Sequence, residues 1–232
     1  MKTLIVSDIH FEYRTEAKRI SFVNSLPVDA IDCIVIAGDI GPLHSLRLFA
    51  ERYPAVVVVL GNHDYWGKWI VETHNEMKAV CDKYHNIIWL NGTTAKVCDI
   101  TFAGTTLWFR DISDNYLYED CWADYMSVKD GRQGIIAENE RALDFVTRLK
   151  ACDVFVMHHL WSKRCIDPRY AASPENRFFV CDIEHDMARL APKLIINGHT
   201  HSGFDFMFGS SRAVCCPYGN YDRRFTPAII DI

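Results

Sequence analysis

The sequence predicts an α/β fold in which buried strands alternate with amphipathic helices. Short apolar runs rich in Val and Ile recur along the chain, and most do not alternate with polar residues, which is typical of strands covered on both faces. The predicted strands cover residues 4–6, 33–37, 55–60, 87–90, 154–157 and 194–196. After Gly198 shorter strands are predicted at residues 204–208, 213–216 and 228–232.

Helical patterns lie between these runs. The clearest covers residues 135–150, and others cover residues 16–26, 45–53, 69–84 and 183–190. Since no repeat, low-complexity segment or linker interrupts the pattern, residues 1–232 are predicted to form one domain. Residues 106–133 and 160–180 fit no regular element, and long irregular segments in a compact domain tend to be functional loops.

Composition narrows the class of protein. The chain has 232 residues, of which 49% are hydrophobic and 24% charged, with a formal net charge of -5. This balance suits a globular protein and gives no bulk attraction to nucleic acid or acidic membranes. The apolar start is too short for a signal peptide, and no apolar stretch is long enough to span a membrane. The nine cysteines form no CxxC pair, so we expect reduced thiols and a cytoplasmic protein.

Polar residues that carry chemistry follow the ends of predicted strands. Asp8 and His10 lie two positions apart, which on an extended chain points both side chains to the same side. Later strands are followed by Asp39, by Asn62 and His63, by His158 and His159, and by His199 and His201. Each cluster alone resembles a turn or a helix cap, but ligands bind at the carboxyl ends of strands in open α/β sheets. Together they predict a metal site, and oxygen and imidazole ligands suit Mn, Fe, Zn or Ni.

In this order, the motifs D-x-H, G-D, G-N-H-D, a strand-end His and G-H-x-H resemble the motif set of the calcineurin-like metallophosphoesterases. The resemblance runs from Asp8 to His201 and is strongest with small bacterial and phage members. It implies an αββα sandwich of two mixed β-sheets flanked by helices. It also implies two divalent metal ions and hydrolysis of a phosphate ester by attack of metal-bound hydroxide.

The resemblance also implies residue roles. Asp8, His10 and His201 would hold one ion, Asn62, His158 and His199 would hold the other, and Asp39 would bridge them. His63 would stabilise or protonate the leaving oxygen without binding metal. His159 would lie behind the ligands or face the substrate.

One departure from the family pattern concerns the partner of His63. Relatives that are Ser/Thr protein phosphatases carry a second Asp after G-D, which orients the catalytic histidine, whereas this chain has Pro42. A protein phosphatase is therefore disfavoured. Asp64 and His44 are the candidates for the partner of His63.

The two irregular segments are expected to shape substrate choice. Arg164, Arg169 and Arg177 make residues 160–180 cationic, so this loop either holds a second phosphate or is simply solvated. The aromatic residues of segment 106–133 either stack on a base or form a small core, and core packing is favoured.

The expected function is hydrolysis of a small phosphodiester or phosphomonoester, nucleotides included. The alternatives are a nuclease, which the acidic balance disfavours for long nucleic acid, and a catalytically silent metal-binding scaffold. The sequence does not define an oligomeric state.

Overall fold

Two mixed β-sheets pack face to face in the computed structural model, which describes residues 1–219 and 225–232. In chain order the strands are β1 (Lys2–Val6), β2 (Cys33–Ala37), β3 (Val56–Val59), β4 (Ile87–Trp89), β5 (Thr93–Val97), β6 (Ile100–Thr105), β7 (Val154–Met157), β8 (Leu194–Asn197), β9 (Phe204–Phe208), β10 (Ser211–Cys215) and β11 (Ala228–Asp231). The first sheet has the order β11-β1-β2-β3-β4 and the second β5-β6-β7-β8-β10-β9. Neighbouring inner strands run parallel, and the antiparallel strands β5, β9 and β11 lie at sheet edges.

Each inner strand buries both of its faces. On β2, Val35 packs between the sheets together with Val156 of β7. Its neighbours Ile34 and Ile36 pack on the opposite face, toward the helices. This two-sided burial is the physical reason that these strands read as continuous apolar runs.

Helices cover the outer faces of both sheets. They are α1 (Glu16–Ser25), α2 (Arg47–Ala50), α3 (Ile70–Lys83), α4 (Ala123–Ser127), α5 (Gly131–Arg148) and α6 (Glu184–Leu190). Phe22 of α1 and Met77 of α3 pack on the first sheet, while Val146 of α5 and Met187 of α6 pack on the second. The expected αββα sandwich is confirmed. Within the described ranges, no helix combines the length and apolar character needed to cross a membrane.

The predicted and observed elements differ in a few places. Strands β5 and β6 were not predicted, because β5 is polar and largely exposed and β6 contains Gly104. A Cβ on Gly104 would lie 2.6 Å from the carbonyl oxygen of Val156, so the close approach of β7 requires this glycine. Segment 106–133 contains α4 and the start of α5, and segment 160–180 contains the 3-10 helices Lys163–Cys165, Pro168–Tyr170 and Pro174–Phe178.

Candidate metal centre and adjoining pocket

The predicted ligands meet at one edge of the sandwich. Asp8, Asp39 and Asn62 follow β1, β2 and β3 of the first sheet, and His158, His199 and His201 follow β7 and β8 of the second. With His10, all of these residues except Asn62 form two groups of potential ligand atoms, and within each group the atoms lie within 4.8 Å of one another. The first group comprises Asp8, His10, Asp39 and His201, and the second comprises Asp39, His158 and His199.

Asp39 belongs to both groups. Its Oδ2 lies 3.5 Å from Nε2 of His10 and 3.4 Å from Nε2 of His158. Nε2 of His10 lies 3.0 Å from Nε2 of His201, and Nε2 of His158 lies 3.0 Å from Oδ1 of Asn62. The carboxylate of Asp39 therefore stands between two converging sets of nitrogen and oxygen atoms.

Turns with left-handed backbone present most of these side chains. Asp8, His10, Asp39, His199 and His201 have φ angles of 52°, 50°, 53°, 70° and 50°. Residues other than glycine adopt this region at a cost and mainly where surrounding contacts enforce it. The two ligands of D-x-H, and those of H-x-H, are thus brought together by a tight turn. The expectation of an extended chain at these positions is wrong, because β1 and β8 end before the ligands begin.

Two glycines leave room for the ligands. Gly38 has a φ of +85°, and a Cβ there would lie 2.3 Å from Nδ1 of His158. Gly61 has an ordinary extended backbone, but a Cβ there would lie 2.2 Å from Oδ1 of Asp39. Any side chain at either position would collide with a predicted ligand.

In two of the histidines, a hydrogen bond from Nδ1 turns the other ring nitrogen, Nε2, toward the centre of the cluster. Nδ1 of His158 donates to the carbonyl oxygen of Ala37 at 2.8 Å, and Nδ1 of His10 donates to Oε1 of Glu12 at 2.8 Å. Each bond leaves Nε2 free as a ligand, which is the arrangement that metal-binding histidines use. Nε2 of His199 is buried and has no hydrogen-bond partner among the described residues, so a cation would satisfy it.

Asp124 orients Asn62 in the same way. Its Oδ1 accepts a hydrogen bond from Nδ2 of Asn62 at 2.8 Å and one from Nε1 of Trp66 at 2.9 Å. Nε1 of Trp122 donates to the other oxygen of Asp124 at 3.2 Å. The amide oxygen of Asn62 therefore faces the cluster. Residues and donor chemistry together fit divalent metal ions.

Charges within the cluster perturb one another. Burial alone would raise the pKa of Asp39, but the neighbouring His158, His63 and His10 hold it well below its usual range. Burial, together with the charge of Asp39, raises the pKa of Asp64 to about 7. Asp39 therefore stays an anion in the centre of the site.

The partner of His63 is Glu12, which was not predicted. Nδ1 of His63 lies 3.2 Å from Oε1 of Glu12. Asp64 is not the partner, because its oxygens accept from the backbone N–H groups of Ile40, Gly41 and Gly61. His44 is exposed on the 3-10 helix Leu43–Leu46. The sequence did contain a signal for Glu12 as a residue of the site, since it follows the predicted ligand His10 by two positions.

A cavity of about 400 Å³ opens beside the cluster, and segment 160–180 forms one wall. Its other walls include His63 and aromatic rings close to the candidate ligands. The lining residues used below are Trp66, Trp122, Asp124, Asp167, Tyr170, Glu175, Asn176 and Phe179.

Arg164, Arg169 and Arg177 were expected to bind substrate. None of them is among the described residues that line this cavity. Arg164 pairs with Glu184 at 3.3 Å, and Arg169 pairs with Asp167 at 2.7 Å. The guanidinium of Arg177 lies over the ring of Tyr118 at 5.4 Å. Arg164 and Arg177 are thus engaged elsewhere, whereas Arg169 lines a neighbouring cavity of about 850 Å³ that also contains His201. The loop side chains that face the first cavity include the acidic Asp167 and Glu175.

His159 lies behind the ligands. It is fully buried, its Nδ1 lies 3.4 Å from the carbonyl oxygen of Thr106, and its ring packs 4.2 Å from that of His199. It therefore supports His199 in this structure and does not face the cavity. Of the aromatic residues of segment 106–133, Trp108, Phe109 and Tyr125 are buried in the core, as the favoured interpretation expected. Trp122 instead lines the cavity.

The fold and this centre define the class of protein. The family model of the calcineurin-like phosphoesterases matches residues 1–203, and the chain belongs to this family. The family and the candidate ligands together support a metal-dependent phosphoesterase.

Two relatives illustrate the similarity. The chain is 27% identical over 245 residues to the uncharacterized protein L509 of Acanthamoeba polyphaga mimivirus, covering 88% of this chain and 85% of that protein. The structure resembles that of phosphopantetheinyl hydrolase (PptH) from Mycobacterium tuberculosis, with a TM-score of 0.72 and 16% identity. That alignment covers 94% of this chain and 89% of the other, and it shows a shared fold.

Proposed function

We propose that this protein is a dinuclear metal-dependent phosphoesterase that hydrolyses a small phosphodiester or phosphomonoester. The observation that carries the proposal is the buried carboxylate of Asp39, which is shared by two converging groups of ligand atoms. In the proposal Asp8, His10 and His201 hold one ion, and Asn62, His158 and His199 hold the other. Asp39 bridges them.

Bound divalent cations supply positive charge that stabilises the phosphoryl oxygens and assists formation of a nucleophile from water. The chain's own residues do the rest. Asp124 keeps the amide oxygen of Asn62 turned inward. His63 stands at the wall of the cavity and donates a proton to, or stabilises, the leaving oxygen.

The residues that line the cavity indicate the class of substrate that would fit it. Trp66, Trp122, Tyr170 and Phe179 offer aromatic surface, and Asn176 and the acidic residues offer polar atoms. We infer that the organic part of the ester is small and partly apolar or planar. Because Asp167 and Glu175 face this cavity, a second phosphate bound within it is disfavoured. A cytoplasmic location and a single-domain chain stay predictions.

The test is a screen of metal-free protein reconstituted separately with Mn, Zn, Fe or Ni. The substrates are nucleoside monophosphates, cyclic and linear diesters, a phosphopantetheinyl ester, pyrophosphate and an oligonucleotide. We expect two ions per chain and turnover of a small ester. Preferential cleavage of the oligonucleotide would instead support the nuclease alternative, and two bound ions without turnover of any substrate would support the silent scaffold.

A further inference from the structure

We propose that Glu12 is a positioning residue that couples His63 to the metal centre through a single carboxylate oxygen. The proposal rests on the phosphoesterase function argued above, in which His63 acts on the leaving oxygen. Oε1 of Glu12 lies 2.8 Å from Nδ1 of His10 and 3.2 Å from Nδ1 of His63. One acceptor atom thus serves both a candidate metal ligand and the candidate acid.

The local backbone brings Glu12 into this position. His10 has left-handed backbone and is followed at once by the 3-10 helix Phe11–Tyr13. This turn reverses the chain, so the side chain of Glu12 returns toward the ring of His10. Gly41 leaves the space that Glu12 occupies, because a Cβ there would lie 2.5 Å from the backbone nitrogen of Glu12 and 2.6 Å from its Oε2.

The two imidazole rings have a defined mutual geometry. Their centroids are 4.6 Å apart, and their planes meet at 76°. The ring of His63 also stacks on Trp66, with centroids 3.7 Å apart and an angle of 24°. Glu12 and Trp66 together therefore restrict both the position and the rotation of the His63 ring.

The hydrogen bonds also fix where protons reside. A carboxylate accepts but does not donate, so Nδ1 of each histidine carries the proton, and the hydrogen bond selects the tautomer. Nε2 of His10 is then left for the ligand cluster. Nε2 of His63 has no hydrogen-bond partner among the described residues. In the imidazolium form of the ring it carries the second proton and can donate it to the leaving oxygen. Loss of Glu12 would release His63 to rotate or to change tautomer.

The competing explanation is that Glu12 is itself a metal ligand. The ligand atoms of His10, Glu12 and His63 also lie within 4.8 Å of one another, so a cation could replace the shared hydrogen bonds. In that case removal of Glu12 would remove one bound ion. The positioning role instead predicts an unchanged metal content.

The first measurement uses zinc-loaded protein and does not depend on activity. At a pH where the ring of His63 is neutral, imidazole ¹⁵N NMR should show a protonated Nδ1 on His63 in the wild type. In Glu12→Ala the proton should redistribute to Nε2, while the zinc content stays at the wild-type value. A protonated Nδ1 that persists in Glu12→Ala, or the loss of one zinc, overturns the proposal.

The second measurement compares an alkyl phosphate ester with a nitrophenyl ester. Because the nitrophenolate needs little help in leaving, Glu12→Ala should lower kcat about 10–100-fold more on the alkyl ester than on the nitrophenyl ester. Any loss through the ligand His10 should be common to both esters. Glu12→Gln keeps one acceptor and should give a smaller loss. The ratio of the losses on the two esters should be no larger in the double variant Glu12→Ala/His63→Gln than in His63→Gln alone, since Glu12 acts on the leaving group through His63.

Ser7→Ala is the matched control. Ser7 also supports a candidate ligand through a hydrogen bond, but its partner is Asp8 and not His63. Its loss should affect the two esters alike. Equal losses on both esters for Glu12→Ala would refute positioning through His63. If the wild type hydrolyses neither ester, the phosphoesterase proposal fails, while NMR and zinc content still decide the role of Glu12.

Discussion

Substitution of Gly61 by alanine tests whether the packing around Asp39 sets metal affinity. Gly61 has φ -100° and ψ 175°, which alanine adopts without backbone strain. The added Cβ, however, would lie 2.2 Å from Oδ1 and 2.4 Å from the backbone nitrogen of Asp39. The effect of Gly61→Ala is therefore purely steric and falls on the shared carboxylate.

The magnitude follows from these distances. A tolerable contact needs about 3.0–3.4 Å, so the carboxylate of Asp39 and its turn must move by roughly 1 Å. This movement disrupts the hydrogen bond from the backbone nitrogen of His63 to Oδ1 of Asp39, which is 3.0 Å long. Overpacking costs about 1–3 kcal/mol, and a lost bond to a buried charge costs a similar amount. Metal sites tolerate only about 0.2 Å, so we expect at least about 100-fold weaker metal binding.

Two assays measure these effects separately. Urea denaturation of metal-free protein gives the free energy of unfolding, and calorimetric titration with zinc gives the affinity. Gly203→Ala is the control, because a Cβ there meets its nearest atom, the carbonyl oxygen of Cys215, at an ordinary 3.4 Å. Wild-type zinc affinity in Gly61→Ala would refute the reasoning.

Three further predictions follow from the site and from one helix. Asp39→Asn should reduce metal content more than His201→Asn, because Asp39 is shared by both ligand groups; full occupancy by metal analysis would contradict the bridging role. His63→Gln should keep its metals but lose about 10²–10⁴-fold in kcat on alkyl esters, and an equal loss on nitrophenyl esters would count against proton donation. Burial lowers the pKa of His74 from 6.5 to about 4. The unfolded chain therefore binds more protons between these values, and stability should fall as pH drops through this window, by roughly 1–2 kcal/mol after allowance for partial exposure. The free energy of unfolding of His74→Gln, measured from denaturation curves, should depend less on pH than that of the wild type. An unchanged pH dependence would contradict this prediction.

Most of the fold was predictable because its inner strands are buried on both faces. Such strands give continuous apolar runs, and β2 and β7 were predicted with their observed bounds. β5 gave no such signal, because an edge strand that exposes Thr93, Thr94 and Lys96 does not need apolar residues. The 3-10 helices of segment 160–180 have no periodic pattern long enough to detect.

The site was predictable to the extent that its residues follow strands directly. Asp39 and His158 stand within two residues of a buried strand, so topology alone brings them to one edge. Asp124 was missed because it lies 62 positions from Asn62 and in an irregular part of the sequence. Composition gives the charge of segment 160–180 but not the direction of its side chains. It therefore could not separate Arg169, which lines the cavity beside His201, from Arg164 and Arg177, which line neither cavity.

The candidate ligands come from both layers of the sandwich, and this has a mechanical consequence. Asp8, Asp39 and Asn62 are fixed to one sheet, and His158, His199 and His201 to the other. A cation bound by both sets would cross-link the sheets at this edge, much as a disulfide links two segments of chain. Chelation would then loosen the junction between the layers as well as abolish the proposed activity. Amide exchange near the ends of β2 and β7 would report metal loss before any strand unfolds.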